Sequence, residues 1–437
     1  MAQRIQGTED LFGAYMRSWQ HMQDCARELF DAYGFDAIET PALEQVATFT
    51  HGIGESTDVV RKEMFRVFSG ALLEGLLAQG DESKLKAKQR MAMRPEGTAG
   101  VVRAAVEHNF VPQGGAPAKV WYAEPMFRGE RPQKGRLRQF HQIGIEWMGA
   151  SDPAADAEVI IMLMEFYKRL GLDASCLKLT INSMGDAACR PAYRNKVRDF
   201  ILNHKDEMCE DCLERAEINP LRSFDCKNDR CRELMKDAPL VSDHLCDDCA
   251  EHYVQVKKYL DEAGVVYVED PTLVRGLDYY TRTVFEVEYV GDAAIGAIGG
   301  GGRYDGLAEL EGGKPCPGIG WAVGFERIML ALENAGADLA GADPSCVYVA
   351  NTQPELRDEA FKVTLALRGV GLRCEADYQG RSLKSQFKQA DRFHAKVCVV
   401  LGPDELAEGK ASVRDMTTHE QTQVELDNLV EYVGKLM

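Results

Sequence analysis

Two segments of the chain combine residue types that could bind a charged small molecule and a phosphate. Residues 273–281 read Leu-Val-Arg-Gly-Leu-Asp-Tyr-Tyr-Thr and place one arginine, one carboxylate and two phenols close together. More than a hundred residues upstream, residues 128–138 contain five basic side chains against one acid, Glu130. Arginine binds phosphate oxygens bidentately and stays charged. Together the two segments indicate a site that joins a small polar molecule to phosphate chemistry.

The arginine-rich segment is predicted to form the loop of a β-hairpin. Residues 120–124 and 139–147 read as strands on either side of it, paired antiparallel. Arg128 then lies at the base of the hairpin, and the loop offers further cations to a triphosphate or a nucleic-acid end. Phe140 fits two roles equally well, because its ring could stack on a purine or pack in the core as a strand residue.

A second polar group lies in the turn Arg94-Pro-Glu-Gly-Thr98. A carboxylate, Glu96, and a hydroxyl, Thr98, held together in a turn suit an ammonium group. A helix-capping turn fits the same residues, because Thr98 precedes an apolar helix at 99–106. The pentapeptide alone leaves both interpretations open.

The strand at 139–147 carries polar side chains on one face. Gln142, Gly144 and Glu146 are spaced two apart and therefore point to the same side. Burying Gln142 and Glu146 without partners would cost several kcal/mol, which predicts a ligand or partner on that face. A carboxylate pairs favourably with an imidazole, whose other nitrogen a phenol such as Tyr280 could support.

Arg327 begins a predicted helix at 326–333, directly after a strand at 320–324. A helix N-terminus favours anions, so the guanidinium could reach a nucleotide. By itself, the residue also fits an ordinary surface arginine.

Several catalytic motifs are absent from the sequence. The chain lacks G-x-x-x-x-G-K-[ST], which excludes a P-loop. The glycine run 299–302 lacks the strand–helix context of a dinucleotide-binding loop and is interpreted as a turn. No nucleophile elbow or paired Cys–His is evident, so the sequence implies no covalent enzyme intermediate.

Length and charge limit the class of protein. A chain of 437 residues predicts two or three domains, and a net charge of −18 argues against non-specific binding to polyanions. Residues 381–396 form a second basic segment. The two segments predict that a nucleic acid binds at these two positions. The alternative is that both are solvated surface segments. The chain lacks a membrane-spanning apolar run and an apolar signal segment, so we expect a cytoplasmic protein without a membrane partner.

Six of the 13 cysteines fall between 209 and 249, where two CxxC pairs bracket a third pair. This spacing favours a structural zinc site over disulfides in a cytosolic chain, with reduced, partly buried thiols as the alternative. The predicted ligands are Cys209, Cys212, Cys246 and Cys249, with Cys226 and Cys231 as alternates.

Composition and periodicity divide the chain into segments. Helices are predicted at 12–33 and 159–170, and a short helical insertion at 71–88. A charged, cysteine-rich helical module is inserted at about 187–265. Residues 334–344 read as a small-residue linker, and βαβαβ alternation after it predicts a separate α/β domain at 345–437.

Together these motifs resemble the class II aminoacyl-tRNA synthetases, specifically the histidyl-tRNA synthetases. Thr40-Pro41 after a long helix is similar to their dimer-forming first motif, residues 127–146 to the second, and residues 320–330 to the third. Residues 273–280 and Gly301-Gly-Arg-Tyr-Asp305 resemble the histidine-specific signatures. The tail, with Arg381-Ser-Leu-Lys-Ser-Gln386, resembles the family's anticodon-binding domain.

The resemblance implies a fold, an activity and partners. The fold is α/β: an α+β catalytic domain at 1–333 on a mainly antiparallel sheet, interrupted by the helical module, followed by the anticodon-binding domain. The activity is ligation of histidine to its tRNA through histidyl-adenylate, with ATP and Mg²⁺ as the substrate complex, in a homodimer. The longer stretch at 71–88, Gly129 in place of a larger residue, and the six cysteines depart from the pattern.

The resemblance also implies a role for each site residue. Histidine would be bound by Glu96, Thr98, Gln142, Glu146, Arg275, Tyr279 and Tyr280. ATP would be bound by Arg128, Arg136, Phe140 and Arg327, with Arg128 and Arg275 catalytic. Arg131 and Gln133 would meet the acceptor end of the tRNA.

One alternative comes from a different class, the synthetase-like regulatory subunit of ATP phosphoribosyltransferase. That paralogue binds histidine without charging tRNA, typically loses the tail domain and degrades the catalytic signatures. Both signatures and the tail are intact here, which favours the synthetase.

Overall fold

The chain forms two units, Met1–Leu339 and Ala340–Met437, each built around its own sheet. The computed structural model describes residues 2–55, 57–80, 85–113, 115–337, 339–341 and 345–437. Within these ranges, no helix has both the length and the apolar character required to cross a bilayer.

An eight-stranded sheet organises the first unit, in the order β1-β5-β6-β11-β10-β9-β7-β8. The neighbouring strands from β5 to β7 are antiparallel, and only the short edge strands β1 and β8 pair parallel. This confirms the predicted mainly antiparallel sheet and the β5–β6 hairpin. The strands are β1 Asp36–Ala37, β5 Ala118–Phe127, β6 Gln139–Met148, β7 Leu177–Ser183, β8 Val268–Glu269, β9 Thr281–Tyr289, β10 Gly296–Arg303 and β11 Gly318–Gly324. A small sheet of β2 Leu43–Gln45, β3 Arg66–Val67 and β4 Met91–Met93 lies apart from it.

Helices cover one face of the large sheet because their apolar residues recur every three or four positions. In α1, Gly13–Ala32, this stripe buries Trp19, Met22 and Phe30. It packs against α5, whose Phe166 meets Trp321 of β11 with ring centres 6.2 Å apart. The remaining helices of this part are α2 Val46–Ile53, α3 Gly70–Gln79, α4 Thr98–His108, α5 Pro153–Arg169, α10 Leu307–Leu310 and α11 Phe325–Ala335.

The stretch predicted as a helical insertion, 71–88, is helical at its start. Ser69 accepts a hydrogen bond from the Leu72 amide and so caps α3, and Gly80 ends it in the left-handed region. Residues 81–84 lie outside the described residues, and a 3₁₀ turn follows at Ala87–Gln89.

The predicted turn at 299–302 is wrong, because the glycines form the middle of strand β10. A Cβ at Gly300 would lie 2.6 Å from the Phe285 carbonyl oxygen and 2.9 Å from Arg275 Nη1. A Cβ at Gly302 would lie 2.8 Å from the Tyr280 ring. The glycines are therefore required by the close approach of neighbouring backbone and of the Arg275 and Tyr280 side chains, rather than by a change of chain direction.

Residues 187–265 contain four helices and, along this fully described range, no strand. These are α6 Arg190–Asn203, α7 Glu210–Ile218, α8 Asp229–Met235 and α9 Asp247–Glu262. Helix α9 packs against α5 through His252, whose Nε2 lies 2.8 Å from Asp156 Oδ2.

Asp156 is the centre of a buried charge network, and its loss is expected to destabilise the first unit. Its side chain is fully buried and pairs with both Arg303 and His252. Asp156→Ala would leave the Arg303 cation buried without this partner, so we expect the free energy of unfolding to fall by about 3–5 kcal/mol. Urea denaturation measures this. Glu207→Ala, which breaks an exposed ion pair with Arg230, is the control, and a similar loss in both variants would contradict the prediction.

The second unit begins with the predicted βαβαβ order and then continues beyond it. Strands β13, β12 and β14 pair parallel, and β15 and β16 extend the sheet antiparallel. Of the predicted linker, residues 338 and 342–344 lie outside the described residues, and α11 runs to Ala335. The elements are β12 Cys346–Asn351, α12 Arg357–Gly369, β13 Cys374–Ala376, α13 Leu383–Arg392, β14 Ala395–Leu401, α14 Pro403–Ala407, β15 Lys410–Asp415, β16 Gln421–Glu425 and α15 Leu429–Leu436.

Candidate active site

A cavity of about 520 Å³ lies on the face of the large sheet opposite α1 and α5. Small residues make room for it, because Gly300 of β10 and Ala322 and Gly324 of β11 line it with little or no side chain. The cavity brings together ten of the residues predicted from the sequence: Glu96, Thr98, Arg128, Arg136, Phe140, Gln142, Arg275, Tyr279, Tyr280 and Arg327.

Three arginines give one end of the cavity a positive charge. Arg128 Nε donates to the Pro95 carbonyl oxygen at 2.8 Å, and its guanidinium carbon lies 5.2 Å from the centre of the Phe140 ring. Arg327 donates to the carbonyl oxygens of Ala297 and Gly135. Burial, and then the neighbouring Arg136 cation, lower the pKa of Arg327. A bound polyanion would relieve this repulsion.

The hairpin loop beyond these arginines is exposed. Gln133 and Arg136 exchange two backbone hydrogen bonds, at 3.0 and 2.9 Å, which close the loop. Arg131 and Gln133 do not line the cavity, so the structure separates them from the other predicted site residues. Their position leaves both side chains accessible to a large partner.

The opposite end of the cavity is acidic and buried. The Glu96 carboxylate accepts hydrogen bonds from the amides of Thr98 and Ala99, at 2.8 and 2.9 Å. The α4 helix is therefore capped by Glu96, whereas the Thr98 hydroxyl donates to Glu146 Oε1 at 2.6 Å. The turn therefore caps the helix through Glu96 rather than Thr98, and both side chains also line the cavity; binding of an ammonium group stays a prediction.

Glu146 does not itself line the cavity; it is fully buried beside Thr98, which does. Burial raises the pKa of its carboxyl to about 8, against the lowering effect of the Thr98 and Tyr304 hydroxyls. Its second oxygen, Oε2, and the Gln142 side-chain oxygen are buried without a hydrogen bond from any described residue. Unsatisfied polar atoms of this kind are rare in folded proteins and indicate a polar ligand.

The tyrosine pair lies between the acidic and basic ends. The rings of Tyr279 and Tyr280 are 4.6 Å apart, and the Tyr279 hydroxyl lies 3.4 Å from Glu96 Oε2. The Arg275 guanidinium carbon lies 5.7 Å from the Tyr280 ring centre, and Nη1 donates to Glu286 at 2.5 Å. Arg275 Nε is buried and donates to no acceptor among the described residues, so the guanidinium retains a donor for a ligand.

Three residues of this site were not predicted from the sequence. Glu286 pairs with Arg275 from strand β9, and the alternation of Glu286 and Glu288 with apolar residues was the only local signal. Tyr304 belongs to the second tyrosine-containing signature, and its ring lies 6.0 Å from Tyr279. Tyr122 lies across Gly144 with its hydroxyl buried and without a hydrogen bond from the described residues. Nothing in its own sequence context distinguishes it from a core tyrosine.

The cysteines form two clusters, which divides the predicted ligand set. Cys209 and Cys212 lie with the alternates Cys226 and Cys231, whereas Cys246 and Cys249 lie with Asp186 and Cys189. In each cluster, one ligand atom per residue can be chosen so that all four lie within 4.8 Å of one another. The predicted site of Cys209, Cys212, Cys246 and Cys249 is therefore wrong, because the two CxxC pairs belong to different groups.

Comparisons with known proteins agree over the whole chain. A family model described as histidyl-tRNA synthetase matches residues 7–328, and one described as an anticodon binding domain matches residues 346–436. The histidine–tRNA ligase of Halothermothrix orenii is 44% identical over 431 residues, covering 99% of this chain and 98% of that protein. The histidine–tRNA ligase of Moorella thermoacetica is also 44% identical, over 438 residues, covering 100% of this chain and 99% of that protein.

A solved structure agrees with the sequence relatives. The apo histidyl-tRNA synthetase of S. aureus superposes with a TM-score of 0.80 at 36% identity, covering 99% of both chains. The identity and coverage of these relatives exceed what a shared fold alone would produce. The chain belongs to the histidyl-tRNA synthetase family.

Proposed function

We propose that this chain is a histidine–tRNA ligase, which uses ATP to form histidyl-adenylate and then transfers histidine to its tRNA. The observation that carries the proposal is the cavity, which joins three arginines at one end to the buried Glu96 carboxylate and the unsatisfied Gln142 side-chain oxygen at the other. The match of residues 346–436 to an anticodon-binding domain favours this function over the regulatory subunit, since that paralogue typically lacks the tail.

The acidic end accommodates histidine. The Glu146 Oε2 atom accepts a hydrogen from one imidazole nitrogen, and Tyr280 supports the other side of the ring with Tyr279 beside it. Glu96 and the Gln142 side-chain oxygen accept from the α-ammonium group, because both line the cavity above Glu146. Thr98 holds the Glu146 carboxylate in place through its 2.6 Å hydrogen bond and so contributes to this subsite.

The basic end accommodates ATP with Mg²⁺ as the substrate complex. Arg128, Arg136 and Arg327 bind phosphate oxygens, and adenine lies between the Phe140 ring and the Arg327 guanidinium. The histidine carboxylate attacks the α-phosphate in line, and pyrophosphate leaves. Arg128 and Arg275 stabilise the negative charge that grows at phosphorus, so catalysis depends mainly on positioning and electrostatics.

The tRNA contacts both units. Arg131 and Gln133 of the exposed loop meet the acceptor end, where the terminal ribose hydroxyl attacks the adenylate. We assign the catalytic domain to 1–333, interrupted by the module at 187–265, the linker to 334–344 and the anticodon-binding domain to 345–437. In that domain, the exposed cations of α13 recur every four residues at Lys384, Lys388 and Arg392, as an RNA-binding face requires.

The function is tested by histidine-dependent ATP–pyrophosphate exchange, followed by tRNA charging in the same preparation. Exchange with histidine alone among the twenty amino acids, and charging of histidine tRNA, are expected. Histidine binding without exchange would instead support the regulatory subunit.

We also propose a homodimer in the cytoplasm, where the substrates of translation are found. The support is the resemblance of Thr40-Pro41 to the dimer-forming motif. In the structure, the Thr40 amide donates to Glu124 at 2.5 Å, and Arg94 pairs with the same carboxylate at 2.7 Å. All three side chains are buried within one chain. Light scattering should give about twice the mass of one chain, and a monomer at micromolar concentration would contradict the proposal.

The cluster of Cys209, Cys212, Cys226 and Cys231 is proposed to bind a structural zinc ion. The Sγ atoms of Cys209 and Cys226 lie 3.7 Å apart, and tetrahedral zinc with Zn–S bonds of about 2.3 Å places its sulfurs about 3.8 Å apart. Backbone amides of Cys209 and Asn228 donate to the sulfurs of Cys231 and Cys226, which supports thiolates.

Replacing one of these thiolates is expected to remove one zinc ion. Cys231→Ser should lower the zinc content, measured by elemental analysis, by one ion per chain, because Cys231 is fully buried and supplies one of the four clustered thiols. Cys25→Ser, outside both clusters, is the control and should retain the wild-type content. An unchanged zinc content in Cys231→Ser would contradict this site.

A further inference from the structure

The second cluster gathers donors from the two ends of the helical module. Asp186 and Cys189 directly precede α6, and Cys246 and Cys249 lie at the start of α9. Cys189 and Cys249 are buried, whereas Asp186 and Cys246 are half-buried. The chain therefore returns to the same point after more than fifty residues and closes a long loop there.

The distances in this cluster match those of a tetrahedral ion. Around zinc, two sulfurs lie about 3.8 Å apart, and a sulfur and a carboxylate oxygen about 3.6 Å apart, for bonds of about 2.3 and 2.1 Å. The Sγ atoms of Cys189 and Cys249 lie 4.0 Å apart. Asp186 Oδ1 lies 3.7 Å from Cys189 Sγ and 3.8 Å from Cys246 Sγ.

A disulfide does not explain the cluster. Cys189 and Cys249 are reduced, and their separation is twice the ~2.0 Å length of a sulfur–sulfur bond. Three thiolates and one carboxylate suit zinc, which accepts both sulfur and oxygen ligands in closed structural sites.

The carboxylate at this site also contacts the segment that carries the tyrosine pair. While Oδ1 of Asp186 faces the sulfurs, Oδ2 accepts from Arg282 at 3.2 Å. Arg282 follows Tyr280 by two residues and has a left-handed backbone with φ of 48°. Its amide donates to the Gly185 carbonyl oxygen at 2.8 Å, and its own carbonyl oxygen accepts from Met184 at 2.6 Å.

A second connection runs through the residue after Cys189. Arg190 Nη1 donates to the carbonyl oxygen of Tyr280 at 2.5 Å. Asp186 therefore binds the Arg282 side chain, and Arg190 binds the Tyr280 carbonyl oxygen. Through these two contacts, the geometry of the cluster sets the position of the tyrosine rings.

We propose that Asp186, Cys189, Cys246 and Cys249 bind a second zinc ion, which joins the ends of the helical module and positions Tyr279 and Tyr280 in the cavity. Asp186 is a positioning residue as well as a ligand, because one oxygen binds the ion and the other holds Arg282. The metal site stands independently of the proposed function, and only its effect on histidine binding rests on it.

Metal content tests the site directly on the full-length protein. Wild-type chain should contain two zinc ions, Cys231→Ser one, Cys249→Ser one and the double variant none, with Cys25→Ser unchanged at two. One ion in the wild type that Cys231→Ser removes entirely would overturn the proposal, as would two ions in Cys249→Ser or iron in place of zinc.

The wild type alone also gives a decisive spectrum if a cysteine variant fails to fold. After cobalt substitution, the charge-transfer absorption should correspond to seven sulfur–cobalt bonds shared by two ions, four at one site and three at the other. Absorption for four bonds on a single ion would overturn the second site.

Asp186 offers a matched pair of variants. Asp186→Ala should lose one ion, whereas Asp186→Cys should keep two and raise the cobalt charge-transfer absorption from seven bonds to eight. Retention of both ions in Asp186→Ala, or loss of one in Asp186→Cys, would show that the carboxylate is not a ligand.

A kinetic comparison tests the positioning role. Asp186→Ala is expected to raise the KM for histidine in pyrophosphate exchange by about 2- to 30-fold, with the KM for ATP nearly unchanged, because the tyrosines contact only histidine. Equal changes in both constants would refute positioning, while the metal counts would still report on the site. A wild type with two zinc ions but no exchange would refute only the function.

Discussion

Arg275→Ala is expected to lower the rate of histidine-dependent ATP–pyrophosphate exchange by about 10²- to 10³-fold, the usual loss when one donor to a developing negative charge is removed. The guanidinium lines the cavity beside the tyrosine pair, and its Nε donates no hydrogen bond to a described residue. In the proposed mechanism, the histidine carboxylate and the α-phosphate meet at this position. The main effect should fall on kcat, since the contact strengthens in the transition state.

The controls for this variant separate charge from folding. Arg275→Lys retains a cation but loses the planar fork, so we expect activity between those of the wild type and the alanine variant. Arg27→Ala replaces an exposed arginine on α1 that pairs with Asp24, and it should leave exchange unchanged. Wild-type exchange in Arg275→Ala, with an unaltered melting temperature, would refute the assigned role.

Glu146→Gln is expected to raise the KM for histidine by about 10- to 100-fold, because a hydrogen bond between charged groups contributes about 1.5–3 kcal/mol. Glutamine retains the shape and the hydrogen bond from Thr98, but it cannot carry the charge that stabilises a bound imidazolium. The KM for ATP should change little. Steady-state exchange with histidine and ATP varied separately measures both, and an unchanged histidine KM would show that the imidazole binds elsewhere.

Glu146→Gln is also expected to change how the folding stability depends on pH. The folded protein holds the Glu146 proton up to a pKa of about 8, whereas the unfolded chain releases it near 4.5. Without histidine, stability therefore falls as pH rises through this window, by up to about 1.4 kcal/mol for each pH unit. Glu146→Gln lacks this titration, so its melting temperature relative to the wild type should increase between pH 5 and pH 8.5. A constant difference would contradict the raised pKa.

The sequence was sufficient for features determined by local pattern. The β5–β6 hairpin and the α1 helix follow from alternation and from apolar spacing, and the structure confirms both. The predicted site residues converge because the fold brings the turn before α4, the hairpin loop, strand β6, the segment before β9 and the start of α11 to one cavity. The even spacing along β6 already placed Gln142 and Glu146 on the same face.

Features that depend on contacts between distant parts of the chain could not be predicted from local sequence patterns. The run 299–302 was interpreted as a turn because glycine is common in turns, yet Arg275 and Tyr280, from the segment before β9, lie across it. Similarly, a CxxC motif identifies a pair of ligands but not the pair that completes the site. Asp186 and Cys189 were missed because a spacing of three from an aspartate is not a familiar zinc motif, and only the fold brings them to α9.

The most direct measurement is a crystal structure with a non-hydrolysable histidyl-adenylate analogue. We predict that an imidazole nitrogen will lie within hydrogen-bond distance of Glu146 Oε2, and that the phosphate will contact Arg128 and Arg275. An imidazole directed away from Glu146, or a phosphate bound without either arginine, would contradict the account of how this site selects and activates histidine.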